Sequence, residues 1–405
     1  MSIARKARNA APRPLPDSDA VVRPGAARQT PVYLDHAATT PIDPRVRDIV
    51  MRFMTEEFGN AGSRTHEYGA RAQQAVQHAR DQVAAVVKAK RDEVFFTSGA
   101  TESNNLAILG LAPHGEATGR RHLVTTAIEH KAVLEPMQAL ATRGFDVTFV
   151  PPTGGGWVDP DAIRAALRKD TLLVSVMHVN NETGVIQPID DIAKLLSGHE
   201  AFFHVDAAQG FGKGKVSLEE PRIDLISVSA HKIYGPKGVG ALVARRRGFG
   251  RVPLTPLMFG GGQERGVRPG TVPVPLVVGL GLAAELALRE ADKRRTGYER
   301  TRREVLEALA PLDPVVHGDS ARAVPHILNM RFRGVDSEAL MVAWKEWVSV
   351  SNGSACTSHR YEPSHVLAAM GLSAEAIQGA VRLSWGWERV DVEWGWLLDV
   401  VRRLG

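Results

Sequence analysis

The stretch "LLVSVMHVNNETGVIQPIDDIAKLLSGHEAFFHVDAAQ" (172–209) decides the fold class. It opens with a continuous apolar run (172–179), continues through a polar segment long enough for a helix, and closes with a second apolar run (201–207). Strands that are apolar throughout are typical of a sheet covered on both faces, and an intervening helix indicates a parallel pair. The stretch therefore predicts one strand–helix–strand unit of an α/β protein.

The same pattern extends along the chain on both sides of this unit. Helical patterns cover 65–88 and 101–111, and further strand-like runs lie at 93–98, 122–127, 146–151, 224–230 and 238–244. Most of these runs are separated by helix-length segments, which is typical of a mostly parallel sheet between helices. We therefore expect one large α/β domain over residues 44–290.

The pattern changes after residue 290. Residues 286–312 form a long charged helix pattern that we expect to break near Gly297, and shorter strands follow at 325–331, 347–350 and 380–384. This arrangement predicts a smaller α+β domain over 291–405, with residues 31–43 as an N-terminal arm that packs against it. Residues 1–30 are rich in Ala, Pro and Arg and lack aromatic residues, which is typical of a disordered basic tail.

Composition excludes several classes of protein. The chain has 405 residues, 44% apolar and 23% charged, and its single cysteine rules out an intrachain disulfide. No apolar run approaches the roughly 18–20 residues of a membrane helix. The net charge of +5 comes partly from the tail, so direct nucleic-acid binding is not expected. Metal-ligand spacings such as HExxH and CxxC are absent, so no metal site is expected either. Because the chain has one cysteine and no apolar run of membrane length, we expect a cytoplasmic protein without a membrane partner.

In open α/β sheets, ligands bind beyond the carboxyl ends of the strands. Gly99, Ala100 and Thr101 follow one strand and start a helix, where backbone N–H groups and a hydroxyl suit a phosphate. A helix cap explains the same residues on its own. The Gly-rich stretch 260–273 suits either a phosphate contact or a close subunit contact.

Asp206, with Gln209 behind it, ends one strand, and Lys232 follows another after His231. A lysine of lowered pKa attacks carbonyl groups, and an aspartate opposite a protonated pyridine makes that ring an electron sink. Asp206 alone could be a helix cap and Lys232 a solvated loop residue. Together with a phosphate cradle they indicate pyridoxal 5'-phosphate. Three other lysines, Lys213, Lys215 and Lys237, are interpreted as surface charges.

Other polar residues also lie near predicted strand ends. A lone histidine such as His130 is more often structural, but an imidazole there can act as an acid or base. Asn180, Asn181 and Glu182 suggest polar contacts to a ligand. Arg382 can form a bidentate pair with a substrate carboxylate, or an ion pair with a neighbouring acid.

The only cysteine, Cys356, lies in "SNGSACTSHRYEP" (351–363), among small polar residues. A lone cysteine is usually a small buried hydrophobe, and this surrounding sequence is poor material for a core. Thiolate chemistry needs exposure and a lowered pKa, which a loop of small residues permits.

Eight segments together resemble the pyridoxal-phosphate-dependent cysteine desulfurases of the NifS/IscS type, in the class V aminotransferase family. They are "YLDHAATTP", "FTSGATESNNLAI", "EHKAVLEP", "HVNNETGVIQPI", "HVDAAQ", "SAHKIYGPKGVGAL", "GGGQERGVRPGT" and "SNGSACTS...EPSHVL". The resemblance runs from about residue 32 nearly to the end. It implies the type I (aminotransferase-like) fold, a homodimer, and conversion of L-cysteine to L-alanine with the sulfur left on the enzyme as a persulfide.

The resemblance also implies roles for individual residues. Lys232 would be the Schiff-base lysine, Cys356 the sulfur acceptor, and His130 would stack on the cofactor ring. Asp206 would bind the pyridine nitrogen and Gln209 the ring hydroxyl. The phosphate would be bound by Ala100, Thr101, Ser229 and His231, together with Thr271 of the partner subunit. Asn181 and Arg382 would bind the substrate carboxylate, and Asn181 would also contact the cofactor.

The resemblance leaves the protein that accepts the sulfur open among iron–sulfur cluster assembly, tRNA thiolation and DNA phosphorothioation. Segments 58–69 and 351–372 resemble the members that supply sulfur for DNA phosphorothioation. Ala230 and Pro269 replace a common glycine and serine without removing a functional atom. The alternatives are a selenocysteine lyase or aminotransferase of the same fold, and a basic DNA-associated protein that kept the fold. A transaminase has no use for Cys356, so that residue discriminates.

Overall fold

The computed structural model describes residues 30–214, 218–352 and 363–405. The expectations for the tail at 1–29, for Lys215 and for Cys356 lie outside the described residues. Within these three ranges, no helix combines the length and the apolar character that crossing a lipid bilayer requires.

Twelve strands are defined in the described residues. They are β1 (Val32–Tyr33), β2 (Val94–Thr97), β3 (His122–Thr126), β4 (Asp146–Val150), β5 (Thr171–Met177), β6 (Phe202–Asp206), β7 (Leu225–Ser229), β8 (Gly240–Ala244), β9 (Val315–Val316), β10 (Ile327–Arg331), β11 (Val348–Ser349) and β12 (Val381–Ser384). Each strand run predicted from the sequence therefore corresponds to an observed strand, with ends that differ by a few residues.

Thirteen α-helices connect or flank these strands in the described ranges. They are α1 (Pro44–Thr55), α2 (Glu67–Val86), α3 (Ala100–Leu109), α4 (Ala112–Thr118), α5 (Lys131–Ala141), α6 (Pro160–Ala166), α7 (Ile189–Leu195), α8 (Val274–Arg289), α9 (Ala291–Leu309), α10 (Ser337–Trp344), α11 (His365–Ala369), α12 (Ala374–Gln378) and α13 (Trp394–Leu404). Capping residues in the sequence explain where some of these helices begin, and α1 is an example. Asp43 accepts a hydrogen bond from Arg45 N and Pro44 occupies the first helical position, so α1 begins there.

The main sheet has seven strands in the order β2-β8-β7-β6-β5-β3-β4. All neighbours are parallel except those of β8, which runs antiparallel to β2 and β7. The connection from β7 to β8 is only residues 230–239, too short for the helical crossover that a parallel pair needs. The prediction of a mostly parallel α/β sheet is confirmed.

Apolar side chains cover the main sheet on both faces. Alternate residues of one strand point to opposite sides, so Val174 lies in the core beneath α1, α2 and α8, while Leu173 lies in the core beneath α3, α4 and α5. Residues of β5, β6, β7 and β8 are buried throughout. This two-sided burial explains why these strands read as continuous apolar runs.

A second layer follows α8. Its antiparallel sheet has the order β12-β10-β9, and α9, α10 and α13 contribute to an apolar core around Trp344 and Trp385. The arm joins this layer because β1 pairs with β11 and Asp35 bridges to Ser384.

The predicted helix break near Gly297 is wrong. The break falls at Glu290, between α8 and α9, and Gly297 lies buried inside α9. A Cβ at this position would lie 2.0 Å from the carbonyl oxygen of Trp387. The glycine therefore permits close packing of α9 against that backbone and does not end the helix.

Candidate active site

A cavity of about 390 Å³ opens at the carboxyl ends of β2, β3, β5, β6 and β7. It brings together most of the residues predicted for the site: Ala100, Thr101, His130, Asn181, Asp206, Gln209, Ser229, His231, Lys232 and Arg382. Thr271 is exposed and is not part of this lining. Cys356 lies outside the described residues.

The start of α3 forms one end of the cavity. Gly99 precedes the helix and provides no side-chain cap, so the first backbone N–H groups of α3 are available to a ligand. Thr101 and Ser229 line the same end, and His231 lies beside them with its Nδ1 3.1 Å from Thr39 Oγ1. Burial, followed by the positive charge of Lys232, lowers the pKa of His231 to about 4, so its ring is neutral near neutral pH.

Asp206 is buried at the end of β6. Its Oδ2 accepts a hydrogen bond from Asn104 Nδ2 at 2.7 Å, and its Oδ1 accepts one from Ala208 N at 3.0 Å. Sequence reasoning missed Asn104, although it lies four residues after Ala100 and so on the same face of α3. Gln209 Nε2 donates to Ala37 O at 2.8 Å, while its Oε1 is buried without a partner among the described residues.

Lys232 reaches the arm from the short turn after β7. Its Nζ donates to Ala37 O at 2.5 Å and to Ala38 O at 2.7 Å. The prediction that Lys213 is a surface charge is wrong. Burial, followed by repulsion from Lys232, lowers the pKa of Lys213 to about 7. Lys237 is exposed, yet it lines the cavity.

His130 caps the start of α5. Its Nδ1 accepts a hydrogen bond from Ala132 N at 3.1 Å, so the neutral ring carries its proton on Nε2. Burial lowers the pKa of His130; Lys232 and His365 act in the same direction, while Asp206 opposes them. In the neutral ring Nε2–H is a hydrogen-bond donor, and the ring can act as an acid only after it takes up a proton.

Arg382 lies on β12 and is almost completely buried, with 1% of its surface exposed. Its Nη2 pairs with Asp35 Oδ1 at 2.7 Å and its Nη1 donates to Asn181 O at 2.9 Å. The ion pair with a neighbouring acid, given above as an alternative, is therefore present. Its Nε is buried and has no hydrogen-bond partner in the described part of the chain.

The Gly-rich stretch 260–273 is held against β2 and α3. Arg268 Nε donates to Glu102 Oε1 at 2.8 Å, and Glu264 accepts from Phe96 N at 2.8 Å and from Arg80. Arg268 therefore pairs with α3 and does not line the cavity. These interactions do not support a phosphate contact of this stretch within its own chain. The other interpretation, a close contact between subunits, stays a prediction.

The segment that carries Cys356 leaves and re-enters the described structure beside the cavity. Ser351 N donates to Arg382 O at 3.2 Å, and Ser364 Oγ donates to Glu182 Oε2 at 2.5 Å. The described residues on either side of 353–362 therefore contact Arg382 of the cavity and Glu182, which follows the cavity residue Asn181.

The chemistry of these groups fits pyridoxal phosphate. The cavity has the size of a small-molecule site. It offers an amine on Lys232, a buried carboxylate on Asp206, an uncapped helix start at Ala100 and a buried amide oxygen on Gln209 that has no partner within the described ranges. The described residues contain no group of three or more His, Cys, Asp or Glu side chains that could hold a metal ion.

Comparisons with known proteins agree with this chemistry. The family described as "Aminotransferase class-V" matches residues 32–389. The cysteine desulfurase IscS of Methylococcus capsulatus (strain Bath) is 48% identical over 379 residues, which cover 92% of this chain and 93% of that protein. This chain belongs to the cysteine desulfurases of the class-V aminotransferase family. The resemblance seen in its sequence segments is confirmed.

Solved structures resemble this desulfurase over nearly its whole length. DndA from Streptomyces lividans is 53% identical, with 88% of this chain and 99% of that chain covered and a TM-score of 0.77. SspA in complex with cysteine is 36% identical, with 89% and 100% covered and a TM-score of 0.78. Cysteine desulfurases of this family depend on pyridoxal phosphate and deliver sulfur to acceptor proteins.

Proposed function

We propose that this cysteine desulfurase binds pyridoxal 5'-phosphate in the cavity and converts L-cysteine to L-alanine, leaving the sulfur on Cys356 as a persulfide. The observation that carries the proposal is the placement of Lys232 and Asp206 in one cavity with the uncapped start of α3. An amine nucleophile, a buried carboxylate and a phosphate cradle are the set that this cofactor requires.

Each end of the cofactor has a group that would hold it. Asp206 would face the pyridine nitrogen, and the first N–H groups of α3 would hold the phosphate together with Thr101, Ser229 and His231. When bound, the cofactor ring accepts the electron pair that loss of the Cα proton leaves on the substrate. The neutral state of His231 makes its ring a hydrogen-bond partner for the phosphate without adding charge.

The chain's own residues would then move protons and sulfur. Lys232 attaches the cofactor and takes the Cα proton of the substrate, whose carboxylate binds Arg382 and Asn181. The Cys356 thiolate forms a bond to the substrate sulfur, and the carbon–sulfur bond breaks with its electron pair going to carbon. His130, once it is protonated, donates a proton to that carbon, Lys232 returns its proton to Cα, and alanine leaves.

Exposed apolar side chains support a homodimer. Four apolar side chains on and between α1 and α2 each expose about half of their surface or more: Met51, Met54, Phe58 and Tyr68. Such a patch is unfavourable in water and suits a second copy of the chain. Thr271 lies outside the cavity of its own chain, so a dimer would allow it to reach the phosphate of the partner subunit.

We propose DNA phosphorothioation in the cytoplasm as the destination of the sulfur. The 53% identity with DndA over 88% of this chain, together with the similarity to SspA, supports this choice over iron–sulfur cluster assembly and tRNA thiolation. Transfer of sulfur to an iron–sulfur scaffold instead would overturn the choice of acceptor and leave the desulfurase chemistry intact.

The test is alanine release from L-cysteine by the purified protein, measured with its cofactor absorbance. We expect the wild type to show both, Lys232→Ala to lose both, and Cys356→Ala to keep the absorbance but lose alanine release. Alanine release by Cys356→Ala at the wild-type rate would reject the thiol as acceptor. A lyase or transaminase mechanism would then be favoured.

A further inference from the structure

We propose that Asn104 is a positioning residue for the cofactor ring, because it holds the Asp206 carboxylate in the orientation and the ionised state that a protonated pyridine needs. The inference rests on the proposed function, in which Asp206 faces the pyridine nitrogen. It gives α3 a second task, since the start of the same helix would hold the phosphate at the other end of the cofactor.

Asn104 is completely buried in the wall of the cavity, on the second turn of α3. Its Nδ2 donates to Asp206 Oδ2 at 2.7 Å, a short distance that is typical of a hydrogen bond with an ionised partner. Among the described residues, Asn104 is the one side chain that donates to Asp206. The contact therefore joins α3 to the end of β6 inside the cavity.

The direction of the Asn104 amide follows from the acceptor that it faces. Turned around, the amide would place Oδ1 against a carboxylate oxygen, and two acceptors would repel each other. In the observed direction Oδ1 is buried and has no partner in the described part of the chain. Leaving a buried oxygen without a partner is unfavourable. The polar contact that this side chain makes there is thus its donation to Asp206.

Two donors from different elements fix the Asp206 carboxylate. Ala208 N reaches Oδ1 at 3.0 Å from the turn after β6, and Asn104 reaches Oδ2 from α3. The last side-chain torsion of an aspartate has broad preferences, so one donor alone leaves the carboxylate free to rotate. The helix itself is tied to β2, because Ser103 Oγ lies 2.8 Å from Thr97 Oγ1. Asn104 therefore sets the plane of the carboxylate from a fixed position.

The titratable groups around Asp206 do not replace this donor. Burial lowers the pKa of His130 and of His204, with Asp206 acting in the opposite direction, so both rings are neutral near neutral pH. His204 also directs both ring nitrogens to serine hydroxyls of the neighbouring strands. Glu129 accepts hydrogen bonds from β3 and β5, and Lys232 donates to carbonyls of the arm.

The chemistry of the contact predicts what its loss does. A hydrogen bond donated to a carboxylate favours the ionised form of that carboxylate. With Asp206 ionised, the proton between Asp206 and the ring stays on the ring nitrogen, where it strengthens the ring as an electron acceptor. Without the Asn104 donor this proton shifts toward Asp206, and the substrate loses its Cα proton more slowly.

Three variants separate this role from others. Asn104→Leu keeps the approximate size of the side chain and removes the donor. Asn105→Leu is the matched control, because it makes the same change at the next position of α3, where the side chain donates to Thr101 O at 2.9 Å and not to Asp206. Asp206→Asn removes the carboxylate and provides the reference for a ring nitrogen that carries no proton.

The experiment is nitrogen NMR of each holoenzyme, reconstituted with pyridoxal 5'-phosphate that carries a heavy isotope at the ring nitrogen. The chemical shift of that nitrogen reports whether it holds the proton. We expect wild type and Asn105→Leu to share the shift of a protonated ring, and Asn104→Leu to move toward the shift of Asp206→Asn.

A kinetic measurement on the same samples follows the Cα proton without involving sulfur. Exchange of the Cα hydrogen of L-alanine with deuterated water should slow by about tenfold or more in Asn104→Leu. The alanine concentration that gives half of the maximal rate should stay within about threefold of wild type, because Asn104 does not touch the substrate carboxylate. Asn105→Leu should match wild type in both respects.

A wild-type chemical shift in Asn104→Leu would overturn the inference, and a lower stability to denaturant with that unchanged shift would indicate a structural role alone. If Asn104→Leu does not fold or does not bind the cofactor, Asn104→Ala, which adds no bulk, decides by the same criterion. A wild-type protein that binds no cofactor, or whose ring nitrogen holds no proton, is a different result, because it would reject the proposed function or the role of Asp206 in it.

Discussion

Glu129 is a carboxylic acid that the fold keeps neutral directly before His130. Its Oε1 accepts from Thr126 Oγ1 and from Met177 N, both at 2.8 Å, and its Oε2 is buried without a partner in the described ranges. Burial raises the pKa of Glu129 from 4.5 to about 8. At neutral pH the side chain therefore carries a proton, and it places no full negative charge beside the cavity.

This raised pKa makes a prediction about stability. Below pH 4.5 the carboxyl is neutral in both the folded and the unfolded chain; between pH 4.5 and about 8 only the unfolded chain ionises. Wild type should thus lose stability relative to Glu129→Gln as pH rises through this window, by up to about 1.4 kcal/mol per pH unit. Denaturant unfolding at pH 5, 6.5 and 8 measures it, and a difference that does not vary with pH would contradict it.

The second residue-scale prediction concerns Arg382, whose planar guanidinium spans Asp35 and Asn181. A lysine has a single nitrogen and lacks the planar fork with which the guanidinium reaches Asp35 and Asn181 and can also pair with a substrate carboxylate. Arg382→Lys should raise KM for L-cysteine by about tenfold or more and lower kcat less.

Arg331→Lys is the matched control for Arg382→Lys. Arg331 lies on the adjacent β10 and pairs at 3.2 Å with Glu375, which is exposed. Steady-state kinetics of both variants should separate them, and an unchanged KM in Arg382→Lys would argue against carboxylate binding at this position.

Individual side chains of the site were predictable where they follow strands. Asp206 and Lys232 stand at strand ends, where sheet geometry alone brings side chains together. Asp35 was missed as the partner of Arg382, because 347 residues separate the two in the chain. Lys213 was misjudged, since its lowered pKa depends on burial and on the charges of Lys232 and Arg294, which its glycine-rich neighbours do not reveal.

At the scale of elements, the positions of strands were more predictable than helix junctions or strand directions. Strands buried on both faces leave continuous apolar runs, so the run at 172–179 and the observed β5 differ by only one or two residues at each end. The direction of β8 follows from the length of a connection. Glycine disfavours helix interiors, which is why a helix break is predicted at Gly297. In the structure Gly297 lies inside the helix because only a glycine leaves room for the close approach of Trp387 O.

Two glycines in helices give an element-scale prediction. Gly297→Ala should destabilise the protein by about 1–3 kcal/mol, because the added methyl meets Trp387 O and backbone cannot move aside cheaply. Gly395→Ala, in α13, has nothing within 4 Å of its Cβ position and should be neutral or stabilising by up to about 1 kcal/mol. Denaturant unfolding measures both; the same effect for the two would refute the packing argument.

At the scale of the whole molecule, the apolar patch on α1 and α2 predicts assembly. A charge buried at an interface without a partner is costly, so Met54→Asp should shift the protein toward monomer. Activity should fall as well, because the proposed contact of Thr271 with the phosphate of the partner subunit is then lost. Val342→Asp, on the exposed face of α10, should leave both unchanged. Light scattering and alanine release measure these effects. A dimeric and fully active Met54→Asp variant would contradict the proposed interface.

The site as a whole could be predicted from the sequence only in part. Strand ends supplied its lysine, aspartate and helix start, and a predicted strand of the smaller domain supplied Arg382. Neither the strand pattern nor the resemblance revealed that Ala37 O and Ala38 O accept hydrogen bonds from Lys232 Nζ. These contacts require the arm to fold back across the cavity.

The central claim is that the sulfur of L-cysteine is transferred to Cys356, and one measurement tests it directly. The chain has a single cysteine, so the mass of the intact holoenzyme after one turnover reports that residue alone. The account predicts a gain equal to one sulfur atom, removed by a thiol reductant and absent from Cys356→Ala. Release of alanine with an unchanged protein mass would contradict it.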